Sequence, residues 1–82
     1  MITPTETITV RLFAGLEMQT AARRTQRALP LTETPTVGAV VARLGLEPGA
    51  TGIVLVNGVH AGADQMLAPG DEISLFPPLG GG

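Results

Sequence analysis

The sequence predicts an α+β domain in which one main helix packs on one face of a mixed sheet of four to five strands. Two observations carry this prediction. A single segment, residues 36–45, has apolar residues at the spacing of a helix. Segments on both sides of it have the alternating or continuous apolar pattern of strands. The 82 residues are enough for one domain with a small core.

The first strand is predicted over residues 7–13, where apolar and more polar residues alternate. Ile8, Val10 and Leu12 share one face, which we expect to point into the core. Phe13 falls on the opposite face by the same alternation, so it is expected to point outward.

A loop and a second strand follow, and together with the first strand they predict a hairpin. Residues 14–25 are small or polar and predict a loop with a helical turn. Arg23 and Arg24 in this loop and Arg27 just after it are interpreted as a solvated edge, and a surface for an acidic partner is the alternative. Residues 26–31 predict the second strand. Pro30 has no backbone N–H to donate, which favours an edge position in the sheet.

The helix is the clearest element, because its apolar residues recur at i, i+3, i+4 and i+7 and form one stripe: Val37, Val40, Val41 and Leu44. The helix can begin at Thr36 as the capping residue, or at Thr34 with Pro35 in the first helical position. Gly45 is placed to end the helix in a left-handed conformation, after which Leu46 can fold back onto the stripe.

The C-terminal half predicts further strands joined by two recognisable turns. Residues 53–56 are apolar on both faces, which is typical of an interior strand. Asn57-Gly58 is a hairpin signal that leads into a short strand at 59–61. Pro69-Gly70 fits a type II turn before the last strand at 72–76. With the last strand placed beside the first, this order is that of a β-grasp, ubiquitin-like fold.

The chain ends in a segment unlike the rest, which divides it into a domain at 1–76 and a tail at 77–82. Two prolines end the sheet, and three glycines carry no side chain and keep the most backbone freedom. We expect a flexible tail that presents the α-carboxylate of Gly82. Fully extended, its residues reach about 20 Å, far enough to enter a partner's active site. The alternative is a frayed terminus without function.

An apolar docking surface is predicted on the open face of the sheet. Phe13 and Phe76 both point outward by alternation, and they become neighbours when the first and last strands pair. One of two further pairs must share that face, either Ile53 with Leu55 or the pair at 54 and 56. The alternative is that the two phenylalanines only cover loose ends of the core.

Composition argues against several classes of function. The net charge of −2 and the absence of Lys argue against nucleic acid and anionic membranes as partners. Without Cys there are no disulfides and no thiolate metal sites. Neither a membrane span nor a signal peptide is recognisable, so a cytoplasmic protein is expected. His60 lacks a recognisable nucleophile to activate, and Asp71 and Glu72 are interpreted as turn and solubility residues.

Several motifs, in the same order over almost the whole chain, resemble the MoaD/ThiS family of ubiquitin-like sulfur carriers. They are Phe13-Ala14 with Leu16 and Glu17, Thr36-Val37 before an aliphatic helix, Val56-Asn57-Gly58, Leu67 with Pro69-Gly70-Asp71-Glu72-Ile73, and Phe76-Pro77-Pro78 with Gly81-Gly82. The Phe-Pro-Pro-x-x-Gly-Gly ending is nearer the molybdopterin type, with Leu79 and Gly80 at the two variable positions.

The resemblance implies a non-catalytic carrier whose chemistry is performed by partner enzymes. An E1-like enzyme would bind ATP and adenylate the carboxylate of Gly82, and sulfur would displace AMP to leave a thiocarboxylate. This sulfur would pass to a biosynthetic enzyme such as the large subunit of molybdopterin synthase, with this chain as the small subunit. The residues implied in partner binding are Phe13, Phe76, Pro77, Pro78, Leu79, Gly80 and Gly81. No cofactor is expected on the chain itself, which lacks a phosphate-binding Gly-x-x-x-x-Gly-Lys motif.

Two other readings of the sequence stay open. The same carrier chemistry could serve thiamine, cysteine, thiolated tRNA or a sulfur-containing secondary metabolite. A protein of another class, a ubiquitin-like modifier or adaptor, would act through conjugation or surface binding alone. Because the chain has no Lys, such a modifier could not build chains on itself through lysine side chains.

Overall fold

The computed structural model describes residues 6–47 and 49–78. Its elements, in chain order, are β1 (Thr7–Leu12), a 3-10 turn (Leu16–Gln19), β2 (Gln26–Pro30), α1 (Val37–Arg43), β3 (Ile53–Val56), β4 (Val59–His60) and β5 (Glu72–Phe76). The predicted α+β class is confirmed. Within the described residues, no helix is both long and apolar enough to cross a membrane.

The sheet has five strands in the order β2-β1-β5-β3-β4. β5 lies in the middle and runs parallel to β1, whereas the other neighbouring pairs are antiparallel. The predicted positions are confirmed: β2 is an edge strand, β1 and β2 form a hairpin, and the last strand lies beside the first. This is the β-grasp arrangement, and it brings the C-terminal ends of β1 and β5 to the same end of the sheet.

The core is entirely aliphatic among the described residues, and both the sheet and α1 contribute to it. Its buried members are Ile8, Val10, Leu12, Leu16, Leu29, Val37, Val40, Leu44, Leu46, Val56, Leu67, Ile73 and Leu75. Both phenylalanines lie outside this group. The alternation in β1 therefore predicted the buried face correctly.

The helix begins and ends at the residues that the sequence favoured. The Thr36 hydroxyl accepts a hydrogen bond from the Ala39 N–H at 3.1 Å, so Thr36 is the cap. The alternative, Thr34, is buried and donates its hydroxyl to the Pro30 carbonyl at 2.9 Å. At the other end, Gly45 adopts φ +76° in the left-handed region and terminates the helix, as expected.

Both predicted turns are present. Asn57 and Gly58 have φ values of +52° and +82°, the signs that a type I′ hairpin turn requires between β3 and β4. Gly70 has φ +83°, and the Asp71 N–H donates to the Ala68 carbonyl at 3.1 Å, as in a type II turn. The second turn delivers the chain into β5, which ends at Phe76 just before the two prolines.

Candidate functional site

The two phenylalanines form a stacked pair at the end of the sheet where the chain leaves it. The Phe13 N–H donates to the Leu75 carbonyl at 3.0 Å, which continues the parallel ladder one residue beyond β1. The rings of Phe13 and Phe76 are 4.6 Å apart between centroids and 10° from parallel. Phe13 is 38% exposed. Their predicted adjacency on the open face is confirmed, whereas their role in docking stays a prediction.

Strand β3 completes an apolar surface beside this pair. Ile53 is in register with Phe76, and Leu55 with Ser74, so Ile53 and Leu55 point to the open face. Val54 and Val56 point to the core instead, which resolves the alternative that the sequence left open. We call Phe13, Ile53, Leu55 and Phe76 the open-face patch. Its members are half-buried or exposed, although they belong to the centre of the sheet.

Polar side chains border the open-face patch. Arg11 and Glu72 form an ion pair at 3.4 Å, with each side chain 45% exposed. Such an exposed pair contributes little to stability, but it fixes the position of a charge of each sign. His60 is in register with Leu55 on the edge strand β4 and is exposed. The surface thus has an apolar centre and a polar border, which is the usual composition of a protein-binding surface.

Directly after β5, the backbone of Pro77 and Pro78 passes close to Gly52. The Gly52 N–H donates to the Phe76 carbonyl at 2.8 Å. A Cβ placed on Gly52 would lie 2.5 Å from the Pro78 Cα and 3.0 Å from the Pro77 carbonyl oxygen. The sequence analysis did not predict this contact. No local pattern signals this contact, because it joins residues far apart in the chain.

The structure does not describe all of the predicted site. Pro77 is half-buried and Pro78 is exposed, directly after the end of β5. Residues 79–82, the part of the predicted tail that includes the reacting residue Gly82, lie outside the described residues. The division into a domain and a flexible tail therefore stays a prediction, as does the role of Gly82.

The side chains of Asp71 and Glu72 both have polar partners in the structure. One Asp71 carboxylate oxygen accepts from the Asn57 side-chain amide at 2.9 Å, and the other accepts from the Ala68 N–H at 2.8 Å. Glu72 pairs with Arg11. Within residues 6–47 and 49–78, no group of three or more His, Cys, Asp or Glu could hold a metal ion.

A second surface feature was not predicted from the sequence. A cavity of about 430 Å³ opens between α1 and the β3–β4 hairpin. Its walls are mostly apolar and are formed by Val37, Gly38, Val41, Ala42, Leu46, Thr51, Gly52, Val54, His60, Ala61 and Ala63. Because Gly52 belongs to this wall, the cavity adjoins the place where the tail leaves the sheet.

Among the described residues, a five-stranded β-grasp sheet covered by one α-helix gives the chain a ubiquitin-like fold. The model of the ThiS family matches residues 10–82, which is most of the chain. The chain therefore belongs to the ThiS family, a family of ubiquitin-like sulfur carriers and modifiers. No curated protein sequence gives a significant match.

Solved structures give the same result. SAMP1 from Haloferax volcanii is 30% identical over 93% of this chain and 99% of that chain, with a TM-score of 0.69. A structure of H. volcanii small archaeal modifier protein 1 is 27% identical over 90% and 99% of the two chains, with a TM-score of 0.67. Urm1 from Trypanosoma brucei is 25% identical over 99% and 100%, with a TM-score of 0.68.

Proposed function

We propose that this chain is a sulfur carrier that acts through a thiocarboxylate on Gly82. The observation that carries the proposal is the stacked Phe13–Phe76 pair, which lies on an open sheet face at the point where a Gly-Gly-ended tail leaves the domain. An apolar surface beside a reactive end allows a partner to hold the domain while the tail reaches its active site.

The chemistry explains why so few residues are needed on the carrier. A carboxylate resists nucleophiles because it is negatively charged and has no good leaving group. In the proposed reaction, a carboxylate oxygen of Gly82 attacks the α-phosphorus of ATP and pyrophosphate leaves. Hydrosulfide-level sulfur then attacks the acyl carbon, AMP leaves, and a thiocarboxylate remains. An E1-like partner would bind ATP, and this chain would supply the carboxylate and the docking surface.

For the acceptor of the sulfur, we propose the large subunit of molybdopterin synthase. The support is the Phe76-Pro77-Pro78 ending with Gly81-Gly82, which resembles the molybdopterin type. A carrier for thiamine or for thiolated tRNA would share the activation step and differ only in the acceptor. Adding the thiocarboxylated protein to each candidate enzyme together with that enzyme's own substrate separates these cases. Only the true pair transfers the sulfur to the bound substrate, and water then returns the Gly82 acyl group to a carboxylate.

A second candidate function is a ubiquitin-like protein modifier. Similarity to a small archaeal modifier protein favours it. In this case an amine of a target protein, rather than sulfur, would attack the activated carbonyl of Gly82. The chain has no Lys, so it would add to targets singly instead of forming lysine-linked chains.

The test of the carrier proposal uses the absence of cysteine. The purified protein is incubated with ATP, sulfide and an extract of its host, treated with a thiol-reactive label, and analysed by intact-mass spectrometry. Because the chain has no Cys, we expect one label per molecule, which fragmentation places on Gly82. Deletion of Gly82 should abolish labelling and leave the thermal midpoint unchanged, because every core residue is upstream of the tail.

The remaining outcomes are equally informative. Wild-type protein that stays unlabelled but becomes attached to other proteins would replace the carrier proposal with the modifier. Protein that is neither labelled nor conjugated would overturn both. Labelling that survives deletion of Gly82, and that fragmentation places on a residue other than Gly81, the new C-terminal residue, would place the chemistry elsewhere in the chain.

A further inference from the structure

We infer that Gly52 is a positioning residue, whose missing side chain sets the path by which the tail leaves the domain. The inference rests on the proposed function, because it concerns delivery of the Gly82 carboxylate. Its basis is the close approach between Gly52 and the backbone of Pro77 and Pro78.

The contact is too close for any side chain at position 52. A methyl carbon there would lie 2.5 Å from the Pro78 Cα, whereas carbon atoms in contact are normally about 3.5–4.0 Å apart. Accommodating alanine therefore requires a displacement of about 1 Å. The Gly52 N–H also donates a hydrogen bond to the Phe76 carbonyl at 2.8 Å. This bond joins the residue before β3 to the last residue of β5, directly before Pro77 and Pro78.

The atoms that would have to move belong to a stiff piece of backbone. Each proline ring fixes φ near −65°, so Pro77 and Pro78 cannot swing aside as the end of a long side chain could. A displacement at Pro78 therefore changes the direction in which the last residues of the chain start. Gly52 and Val54 both line the cavity beside α1. The contact between Gly52 and the two prolines therefore lies at the edge of that cavity.

Two other glycines, Gly49 and Gly38, do not contact the prolines of the tail, and Gly49 provides a matched control. Gly49 lies in the same loop, and no atom of the described residues is within 4 Å of its Cβ position. Gly38 would place a Cβ 3.2 Å from the Ala63 carbonyl oxygen, a contact inside the domain that does not involve the tail. Alanine at position 49 therefore changes composition in the same way without obstructing the tail.

The experiment compares Gly52→Ala with Gly49→Ala in adenylation by the host's E1-like enzyme, measured as ATP–pyrophosphate exchange. A misplacement of about 1 Å can reduce a rate up to a hundredfold, so we expect kcat to fall at least tenfold for Gly52→Ala. KM should change less than kcat, because no side chain of the open-face patch is substituted. Gly49→Ala should match wild type in both constants.

A second measurement does not depend on the enzyme. In ¹H–¹⁵N NMR spectra, Gly52→Ala should shift the amide signals of residues 79–82, and Gly49→Ala should leave them in place. Wild-type protein that supports no exchange would overturn the proposed function, and these spectra would still test the path of the tail. Normal exchange and unshifted tail signals in Gly52→Ala would overturn the inference about Gly52 and would leave the proposed function intact.

A rescue variant separates positioning from general damage to the fold. Pro78→Gly restores backbone freedom at the point of contact, so the double variant Gly52→Ala/Pro78→Gly should recover kcat to within about threefold of Pro78→Gly alone. If Gly52→Ala and the double variant both lose the dispersed spectrum of a folded protein, Gly52 is needed for folding and the positioning role is wrong.

Discussion

Asn57 joins two turns that are separated in the sequence. It adopts φ +52° in the hairpin turn, and its side-chain amide donates to Asp71 at 2.9 Å. Its side-chain carbonyl accepts the Glu72 N–H at 3.0 Å. Asp71 in turn accepts the Ala68 N–H. These bonds hold the β3–β4 turn against the start of β5, and β5 is the strand that leads to the tail.

We predict that Asn57→Ala destabilises the protein more than Asn57→Gly does. Both variants lose two side-chain hydrogen bonds at an exposed position, which should cost about 1 kcal/mol in the free energy of unfolding. Alanine also has to adopt a left-handed φ, which adds about 1 kcal/mol, whereas glycine does so freely. Urea denaturation measures both values. Equal effects would mean that backbone conformation at this residue contributes nothing.

The sequence predicted buried side chains and turns where neighbouring residues form a pattern, and it did not predict contacts between distant residues. The alternation in residues 7–13 identified the buried side chains, and Asn57-Gly58 identified a turn. The bond from Asn57 to Asp71 and the contact from Gly52 to Pro78 join residues far apart in the chain. Such contacts exist only after β3 has paired with β5, so no local pattern encodes them.

The helix is an element that depends on its surroundings. α1 has only seven residues, and helices of this length are unstable in isolation. Its buried residues Val37 and Val40 pack on the sheet, and the hydroxyl of Thr36 satisfies the Ala39 N–H at its start. Packing and capping therefore stabilise a segment whose intrinsic helix propensity is low.

We predict that Thr36→Ala lowers the free energy of unfolding by about 1 kcal/mol, because the Ala39 N–H loses its acceptor. Thr36→Ser keeps the hydroxyl and should stay within about 0.5 kcal/mol of wild type. Chemical denaturation followed by circular dichroism gives both numbers. A serine variant as unstable as the alanine variant would show that the threonine methyl group, and not the cap, stabilises the helix.

Element boundaries were predicted to within about two residues, but the orientation of β3 was not. All four of its residues are apolar, so either face was compatible with the core. Pairing with β5 determines which side of β3 faces the core. Val54 lies opposite Leu75, whose side chain is fully buried, so Val54 points to the core face. A strand without alternation carries no information about its faces until its neighbour is known.

At the scale of the whole molecule, the topology separates the core from the open-face patch. The core among the described residues is formed by Val, Leu and Ile alone. The parallel pairing of β1 with β5 brings both phenylalanines to the opposite face, at the end where the tail begins. Under the proposed function, stability and partner binding depend on different side chains, and substitutions should change one without the other.

Two substitutions, one in the open-face patch and one in the core, test whether binding and stability are separate. Phe13→Ala should reduce affinity for the E1-like partner at least 30-fold, the size typical of an aromatic residue that dominates an interface. It should cost about 1 kcal/mol of stability, chiefly from the lost ring stacking. Val59→Ala, at a residue 68% exposed on the edge strand β4, is the control and should leave both quantities unchanged.

Leu75→Ala provides the opposite case, because this fully buried side chain should cost about 2–5 kcal/mol of stability. The protein that stays folded should still bind the partner, since Leu75 points away from the open-face patch. Isothermal titration calorimetry gives the affinities, and urea denaturation gives the stabilities. If Phe13→Ala instead destabilised the protein as much as Leu75→Ala and bound normally, the phenylalanines would belong functionally to the core. The docking role of the patch would then be wrong.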